Sequence, residues 1–230
     1  MKGNDVSSRR RRRPAQADRH HLFAWYVIRF FTVWTAYVWF VYPRVAALGL
    51  DSLAYALLNT SLKALIWVVP VFLYLRLIMG VPILADLKLR HRWRRGLLTG
   101  LVVGLVYGGS NVLRFGVPTL SQSHVTWNSI LSTSIAVGVI EEIPFRGLIL
   151  QQLQERYVFW LANAISSALF LLIHVPGWVK LGDAVSGNAV DRAGILIFGF
   201  VMAGTLRYSG SLWSCIVAHD INDFCSAVLF

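Results

Sequence analysis

The sequence predicts an all-α protein, a helical bundle that crosses a membrane about seven times. Of its 230 residues, 56% are hydrophobic and only 14% are charged, and the mean hydropathy is +0.58. The apolar residues come in successive runs of about 20, the length that a helix needs to cross the hydrocarbon core. The shorter alternating segments of a membrane β-barrel are absent from the sequence. The composition is therefore too apolar for a soluble domain of this length.

Taken in order, the chain divides into a tail and two helical regions. Residues 1–21 form a basic tail that we expect to be disordered, because it has no apolar face to bury. Residues 22–126 contain the first membrane spans, and residues 127–230 form a second helical core. The seven predicted spans cover residues 22–41, 64–84, 97–117, 129–154, 157–175, 193–206 and 212–230.

Proline and glycine refine these bounds. We expect Pro43 to close the first span and Pro176 to stop the fifth. Residues 51–62 are mixed in character and are expected to lie at the membrane interface. In the third span Gly100, Gly104 and Gly108 are four apart, a spacing that predicts close contact with another helix.

The charge distribution predicts an orientation. The formal net charge is +11, and most of it lies in residues 9–13 and 88–95. Arginine runs can bind nucleic acid, but beside membrane spans they more often set orientation and contact anionic lipid. We therefore expect no nucleic acid partner, a cytoplasmic N-terminus and a location in the plasma membrane. The only cysteines, Cys215 and Cys225, lie in the last span, which argues against a disulfide scaffold or a Cys-based metal site.

The fourth span contains charges that need a reason. Glu141 and Glu142 are adjacent in an apolar stretch, and Arg146 follows four residues after Glu142. On a helix Glu142 and Arg146 share a face in the favourable order, whereas Glu141 points about 100° away. Pro144 cannot donate to a carbonyl and should kink the helix beside the acids. The pattern predicts a structural carboxylate, Glu142, and a free carboxylate, Glu141, directed at a cavity.

Two later spans contain the remaining intramembrane polar groups. His174 lies four residues after Phe170, so the two rings share a helix face. His219, Asn222 and Asp223 lie on roughly one face of the last span. Taken separately, His174 is better explained as an interfacial histidine near a helix end. The last cluster is equally a polar stripe that holds helices together.

The three clusters are predicted to meet in one cavity. Glu141 lies about 14 residues before the turn near Glu155, and His174 about 18 after it, so their depths agree within roughly two turns. A carboxylate and an imidazole can deprotonate a water, and a second imidazole or an amide can donate to an oxyanion. This inventory suits hydrolysis. Glu141, His174 and His219 could instead bind zinc, but His-Glu-x-x-His is missing, so no cofactor is favoured.

The same clusters resemble the three motifs of the CPBP family of intramembrane proteases. That family includes the type II CAAX prenyl endopeptidases and bacteriocin-processing or self-immunity (Abi) proteins. Its motifs are Glu-Glu-x-x-x-Arg, Phe-x-x-x-His and His-x-x-x-Asn/Asp. Here they begin at Glu141, Phe170 and His219, and the resemblance covers roughly residues 127–230.

The resemblance implies an intramembrane endopeptidase that acts on a membrane-associated protein or peptide. It implies that Glu141 and His174 activate water, that His219 and the third-motif residue stabilise the oxyanion, and that Glu142 and Arg146 support the site. The third-motif position is Asp223, where the prenyl endopeptidases use asparagine. An ionised Asp223 would repel an oxyanion, so it must be protonated, or the neighbouring Asn222 serves, or Asp223 has another task.

Two other functions compete with the protease. The first is a catalytically idle membrane scaffold or bacteriocin self-immunity protein, which would have the same residues. The second is a small transporter or proton relay, in which acids and histidines carry protons. A transporter often shows an internal repeat with broken helices in both halves. No repeat is visible here and the polar residues crowd into one half, so the transporter ranks last.

Overall fold

The structure, a computed structural model, describes residues 16–116, 125–182 and 189–229, and within these ranges it is helical without strands. Residues 1–15 of the predicted disordered tail lie outside the described residues, and its residues 16–21 are helical. The helices are α1 (Gln16–Ala36), α2 (Tyr42–Ala46), α3 (Ser52–Leu73), α4 (Ile83–Asp86), α5 (Trp93–Phe115), α6 (Val137–Glu142), α7 (Leu150–Gln154), α8 (Phe159–Leu172), α9 (Val175–Leu181), α10 (Ala189–Ser209) and α11 (Trp213–Phe224). Five π-helical segments extend or join them: Tyr37–Val41, Tyr74–Met79, Asn128–Ile135, Ile143–Ile149 and Cys225–Leu229.

Four helical stretches in the described part of the chain are long and apolar enough to cross a membrane. They are Asp18–Ala46, Ser52–Met79, Phe159–Leu181 and Ala189–Ser209. The all-α fold is confirmed, and seven spans stay a prediction. The fourth predicted span is present as helical segments over residues 128–154, which we call the acid helix.

The helix ends meet in two groups, one at each end of the bundle. At the first end Arg19 Nη1 lies 3.8 Å from Glu155 Oε2, and Leu212 N–H donates to the Lys88 carbonyl at 3.3 Å. At the opposite end Trp34 Nε1 donates to the Ile173 carbonyl at 2.8 Å. Successive long helices therefore run up and down through the bundle, as the short connections predict.

Helix bounds differ from the expected ones at three places. The helix of the second predicted span begins at Ser52 and not at residue 64, because the Asp51 side chain accepts from Leu53 N–H and Ala54 N–H, both at 3.0 Å, and starts the helix there. Pro43 does not close the first helix. It lies in the first turn of α2, where its missing N–H costs nothing. Pro176 begins α9 in the same way, and α8 ends before it at Leu172.

The glycine contact in the third predicted span is confirmed. A Cβ built on Gly100 would lie 2.8 Å from the Ser214 carbonyl oxygen, and one on Gly104 would lie 2.8 Å from Ile221 Cβ. On Gly108 it would lie 2.6 Å from the Cys225 sulfur. The backbones of α5 and α11 approach each other only because these three positions lack a side chain.

Candidate active site

The acid helix is enclosed by protein around its middle turns. Every residue from Glu142 to Leu150 is buried. Pro144 lies in the π-helical segment that follows the acids, where the hydrogen bonds of a regular α-helix are interrupted. A helix that is buried all round can hold charges only when other protein groups bind them.

Arg146 binds Glu142 and joins three helices. Its Nη1 donates to Glu142 Oε1 at 3.0 Å, and its Nη2 donates to the Gly199 carbonyl of α10 at 3.0 Å. The guanidinium also lies 4.4 Å from the centre of the Phe170 ring of α8. The pair predicted between Glu142 and Arg146 is therefore present, and both side chains are almost completely buried.

Glu141 points into a cavity, as the helix geometry predicts. The cavity has a volume of about 560 Å³. It is also lined by Phe170 and His174 from the region of α8, and by His219, Asn222 and Asp223 from α11. Three separate parts of the chain, each predicted from one motif, thus contribute to one space.

His174 presents its outer ring nitrogen to this cavity. Nδ1 lies 3.0 Å from the Phe170 carbonyl oxygen, which can only accept a hydrogen bond. Nδ1 therefore carries the proton of the neutral ring, and Nε2 keeps its lone pair. The Phe170 ring packs edge-on against the imidazole with the ring centres 5.4 Å apart, and Trp178 stacks on it at 5.8 Å. The position is fixed by packing, and the free nitrogen is a proton acceptor.

His219 connects the buried carboxylate with the cavity. Its Nδ1 lies 2.8 Å from Glu142 Oε1. On the other side of the ring, Nε2 lies 3.9 Å from Glu141 Oε2 and 3.6 Å from Asp223 Oδ2. Because Glu142 accepts from Arg146 as a carboxylate, it also accepts the Nδ1 proton of His219. The geometry sets the ring so that Nε2 faces the cavity.

Asn222 and Asp223 form one polar unit at the cavity wall. Asn222 Nδ2 donates to Asp223 Oδ1 at 2.9 Å. The other Asp223 oxygen is the one that faces His219. One amide N–H of Asn222 is thereby used, and the other is available for another acceptor.

A comparison with known families agrees with this geometry. Residues 121–225 match the family model described as type II CAAX prenyl endopeptidase Rce1-like. This region, a little under half of the chain, is similar to the CAAX protease family. All three motifs lie within the matched residues. No curated protein and no solved structure matches the chain.

The match indicates a coarse function for residues 121–225. At the level of the family it implies a hydrolase, a protease of CAAX processing whose substrate is a membrane-associated protein. The apolar helices agree with an integral membrane protein. The match begins at residue 121, so it does not cover α1 to α5.

The side chains do not fit a metal ion as they are arranged. Within residues 16–116, 125–182 and 189–229, no three His, Cys, Asp or Glu side chains are grouped closely enough to bind one. The zinc alternative named Glu141, His174 and His219. In the described residues these three side chains do not form such a group. We therefore derive no step of the hydrolysis proposed below through a metal.

The structure adds cavity residues that the motif analysis missed. Tyr107, Ser110 and Asn111 of α5 line the cavity, as do Asp191, Ile195 and Phe198 of α10. The third predicted span thus contributes to the site as well as to packing. The sequence feature that could have indicated these α5 residues is Gly108, which follows Tyr107 and lies on the helix that approaches α11.

Lys63 is a second omission, because the predicted second span begins one residue after it. It is an ionisable residue inside the apolar stretch Ser52–Met79, the same criterion that marked the acids. One turn earlier Asn59 Nδ2 donates to Ser132 Oγ at 3.2 Å. One turn later the Trp67 ring lies 6.1 Å from the Phe145 ring. Lys63 therefore faces the acid helix between these contacts, within electrostatic range of Glu141.

Proposed function

We propose that this protein is an intramembrane endopeptidase that hydrolyses a peptide bond with a water activated by Glu141 and His174. The observation that supports the proposal is the cavity itself. It receives a free carboxylate, an imidazole whose Nδ1 is bound to the Phe170 carbonyl, and a second imidazole anchored from behind by Glu142.

In the first step a water held between Glu141 and His174 attacks the carbonyl carbon of the scissile bond. Either the carboxylate or the Nε2 lone pair takes the water proton as the C–O bond forms. Both groups are presented by helices within the bundle, so little reorganisation is needed to reach the reacting geometry.

As the water attacks, the carbonyl oxygen becomes an oxyanion and needs donors, before the second step in which the C–N bond breaks. We assign that task to Nε2–H of His219 in its protonated form and to the second amide N–H of Asn222. Asp223 then holds His219 and Asn222 in place, because its two oxygens face those two side chains. The proton taken from the water passes to the leaving amine as the C–N bond breaks.

Replacing Glu141 by Gln tests the proposal, because the amide keeps the size of the side chain and loses its basicity. We expect cleavage to fall at least about 100-fold, the usual contribution of a general base. The measurement compares the peptide termini in membrane fractions of cells that make the wild type or Glu141→Gln at equal abundance. Glu155→Gln is the matched control, since Glu155 is exposed at the turn outside the cavity.

The same experiment separates the alternatives. Termini that occur with the wild type and Glu155→Gln, and not with Glu141→Gln, support proteolysis and identify the substrate. Identical termini in all three, with any phenotype retained by Glu141→Gln, contradict the protease and favour the scaffold or self-immunity protein. A proton relay would lose transport in Glu141→Gln without any change in termini.

We also propose seven spans, a cytoplasmic N-terminus and a location in the plasma membrane. The contacts of Arg19 with Glu155 and of Lys88 with Leu212 support one common side for these four positions. A membrane-impermeant maleimide tests this on cysteines introduced at His91 and Leu181 in a Cys225→Ser background. We expect Leu181→Cys to react in intact cells and His91→Cys only after permeabilisation. The reverse result contradicts the orientation.

A further inference from the structure

The acid helix changes its hydrogen-bond register just before the acids. Ala136 N–H donates to the Leu131 carbonyl five residues back, and Ile140 N–H donates to the Ala136 carbonyl four residues back, both at 3.0 Å. Between these bonds Gly138 N–H donates to Asp220 Oδ1 of α11 at 2.9 Å. Amides at such a change lose their regular carbonyl partner, and a buried amide without a partner is costly. Asp220 supplies the missing acceptor from a different helix.

Gly138 also permits the two helices to touch. A Cβ at this position would overlap Asp220 Oδ1 and would lie 2.6 Å from the Ile216 carbonyl oxygen. Gly138 and Glu142 are four apart and share a helix face. The same pair of helices therefore makes two successive contacts, Gly138 with Asp220 and Glu142 with His219, the second at 2.8 Å.

We infer that Asp220 is a positioning residue of the active site. By accepting from Gly138 it fixes the acid helix against α11, and so sets both the His219–Glu142 contact and the direction of Glu141. The inference rests on the proposed function, because the positioned groups are those of the proposed hydrolysis. Asp220 is absent from the cavity lining, so it acts through Gly138 and not on the substrate.

Asp220→Asn and Asp220→Leu form a matched pair, because the Asn side-chain oxygen still accepts from Gly138 and the Leu side chain does not. We expect Asp220→Asn to keep kcat within about threefold, and Asp220→Leu to lower it about 100-fold with little change in KM, as a misplaced catalytic group does. Amide exchange of the peptide that contains Gly138 should be faster in Asp220→Leu and unchanged in Asp220→Asn.

Three results would overturn the inference. Asp220→Leu with a normal kcat would show that the contact positions nothing. An Asp220→Asn variant as inactive as Asp220→Leu would show that the charge or proton of Asp220 matters, and not its acceptor. Unchanged amide exchange at Gly138 in Asp220→Leu would show that the Gly138 amide is not protected by a hydrogen bond to Asp220. If Asp220→Leu does not fold, Gly138→Ala replaces it and should show the same loss. If the wild type cleaves nothing, the proposed function fails, and the exchange measurement still tests Asp220.

A separate apolar groove runs along the outside of the bundle between α5, α8 and α10. It has a volume of about 630 Å³, and its walls include Leu98, Val102, Trp160, Phe200 and Tyr208. From Tyr208 to Phe200 it follows α10 for eight residues, about 12 Å at the helical rise. Gly204 forms part of its wall, and a Cβ built there would meet no atom within 4 Å. The glycine is not required for packing, and it leaves the groove open.

Two arginines lie at the end of this groove where α5 begins and α10 ends. The Arg95 guanidinium is 4.6 Å from the centre of the Tyr208 ring. The Arg207 guanidinium is 4.3 Å from the Phe159 ring and 6.0 Å from Trp160. Aromatic rings beside cations at helix ends are typical of the headgroup level of a membrane. We propose that the groove binds one acyl chain of an anionic phospholipid whose phosphate contacts Arg95 and Arg207.

The test measures lipid retained by protein released from vesicles of equal parts phosphatidylglycerol and phosphatidylcholine, read by native mass spectrometry. We expect the wild type to retain severalfold more phosphatidylglycerol. The Arg95→Gln/Arg207→Gln double variant should remove this preference, and Gly204→Leu should lower retention of both lipids by filling the groove. Arg94→Gln is the control, because Arg94 stacks on Trp93 outside the groove lining.

A loss of preference in Arg94→Gln as large as in the double variant would overturn the proposal, since net charge alone would then explain it. Unchanged retention in Gly204→Leu would place the lipid elsewhere. If Gly204→Leu separates a dimer into single chains while lipid retention stays the same, the occupant is a second copy and the lipid proposal is wrong.

Discussion

Two long helices of this protein each contain a proline and a π-helical segment, and they differ in their surroundings. Ser52–Met79 contains Pro70 and then the π-helical segment Tyr74–Met79. The acid helix contains Pro144 within the π-helical segment Ile143–Ile149. In the first helix Leu65, Leu73 and Leu77 are each more than half exposed, whereas residues 142–150 of the second are all buried. Hydropathy identifies Ser52–Met79 as a membrane span. The acid helix must instead pack against protein on all sides.

The surroundings of these two helices determine which charged side chains each can contain. Lys63 in Ser52–Met79 is half-buried, so its ammonium group is only partly enclosed by protein. Glu142 and Arg146 in the second have no solvent and no lipid beside them, and their charges are balanced by Gly199, His219 and each other. The acid helix is therefore a core element of the fold, and removing one member of its ion pair would leave the other charge buried without its partner.

The largest effect should follow from breaking this buried pair. Arg146→Met leaves Glu142 ionised and buried without its counter-ion, which costs about 3–5 kcal/mol in comparable pairs. Arg76→Met is the matched control in the first helix, where Arg76 is exposed, and should change stability by less than about 0.5 kcal/mol. The measurement is the free energy of unfolding in detergent micelles. Equal effects at the two arginines would remove the distinction between the helices.

A smaller effect should follow from apolar truncation. Leu148 is 1% exposed and Leu65 is 59% exposed. Leu148→Ala should lower the free energy of unfolding by about 2–3 kcal/mol, because it leaves a cavity in a packed interior. Leu65→Ala should lower it by less than about 0.5 kcal/mol, because surrounding detergent or lipid fills the space. Thermal unfolding of both variants in the same micelles provides the check, and a similar loss at Leu65 would mean that this face is covered by protein.

Much of the site could be predicted because it depends on helical spacing. The Glu142–Arg146 pair and the Phe170–His174 ring contact each join residues four apart. The glycines of α5 marked a close helix contact before its partner was known. Such features are local or are repeated at a fixed period, so the sequence specifies them without knowledge of which helices are neighbours.

The remainder depends on contacts between distant segments. Nothing local indicates that Asp220 accepts from Gly138, because the two are 82 residues apart. The same holds for Asn111, which reaches the cavity only because α5 lies against α11. The wrong expectations at Pro43 and Pro176 have another cause. Proline marks the first turn of a helix as readily as an end, and the sequence alone did not distinguish the two.

The smallest effect concerns the side of Ser52–Met79 that faces other helices. Tyr37 Oη–H donates to Asn59 Oδ1 at 2.7 Å, and Asn59 Nδ2 donates to Ser132 Oγ at 3.2 Å, so Asn59 joins the first predicted span to the acid helix. Because unfolded segments in a membrane also find polar partners, such bonds contribute about 0.6 kcal/mol on average and at most about 1.7. A double-mutant cycle of Tyr37→Phe and Asn59→Leu, read from the free energy of unfolding, should give a coupling in that range. A coupling of zero would mean that the first predicted span is held against α3 by its apolar contacts alone, such as Phe30 with Trp67. Polar contacts would then affect the free energy of unfolding only within the acid helix.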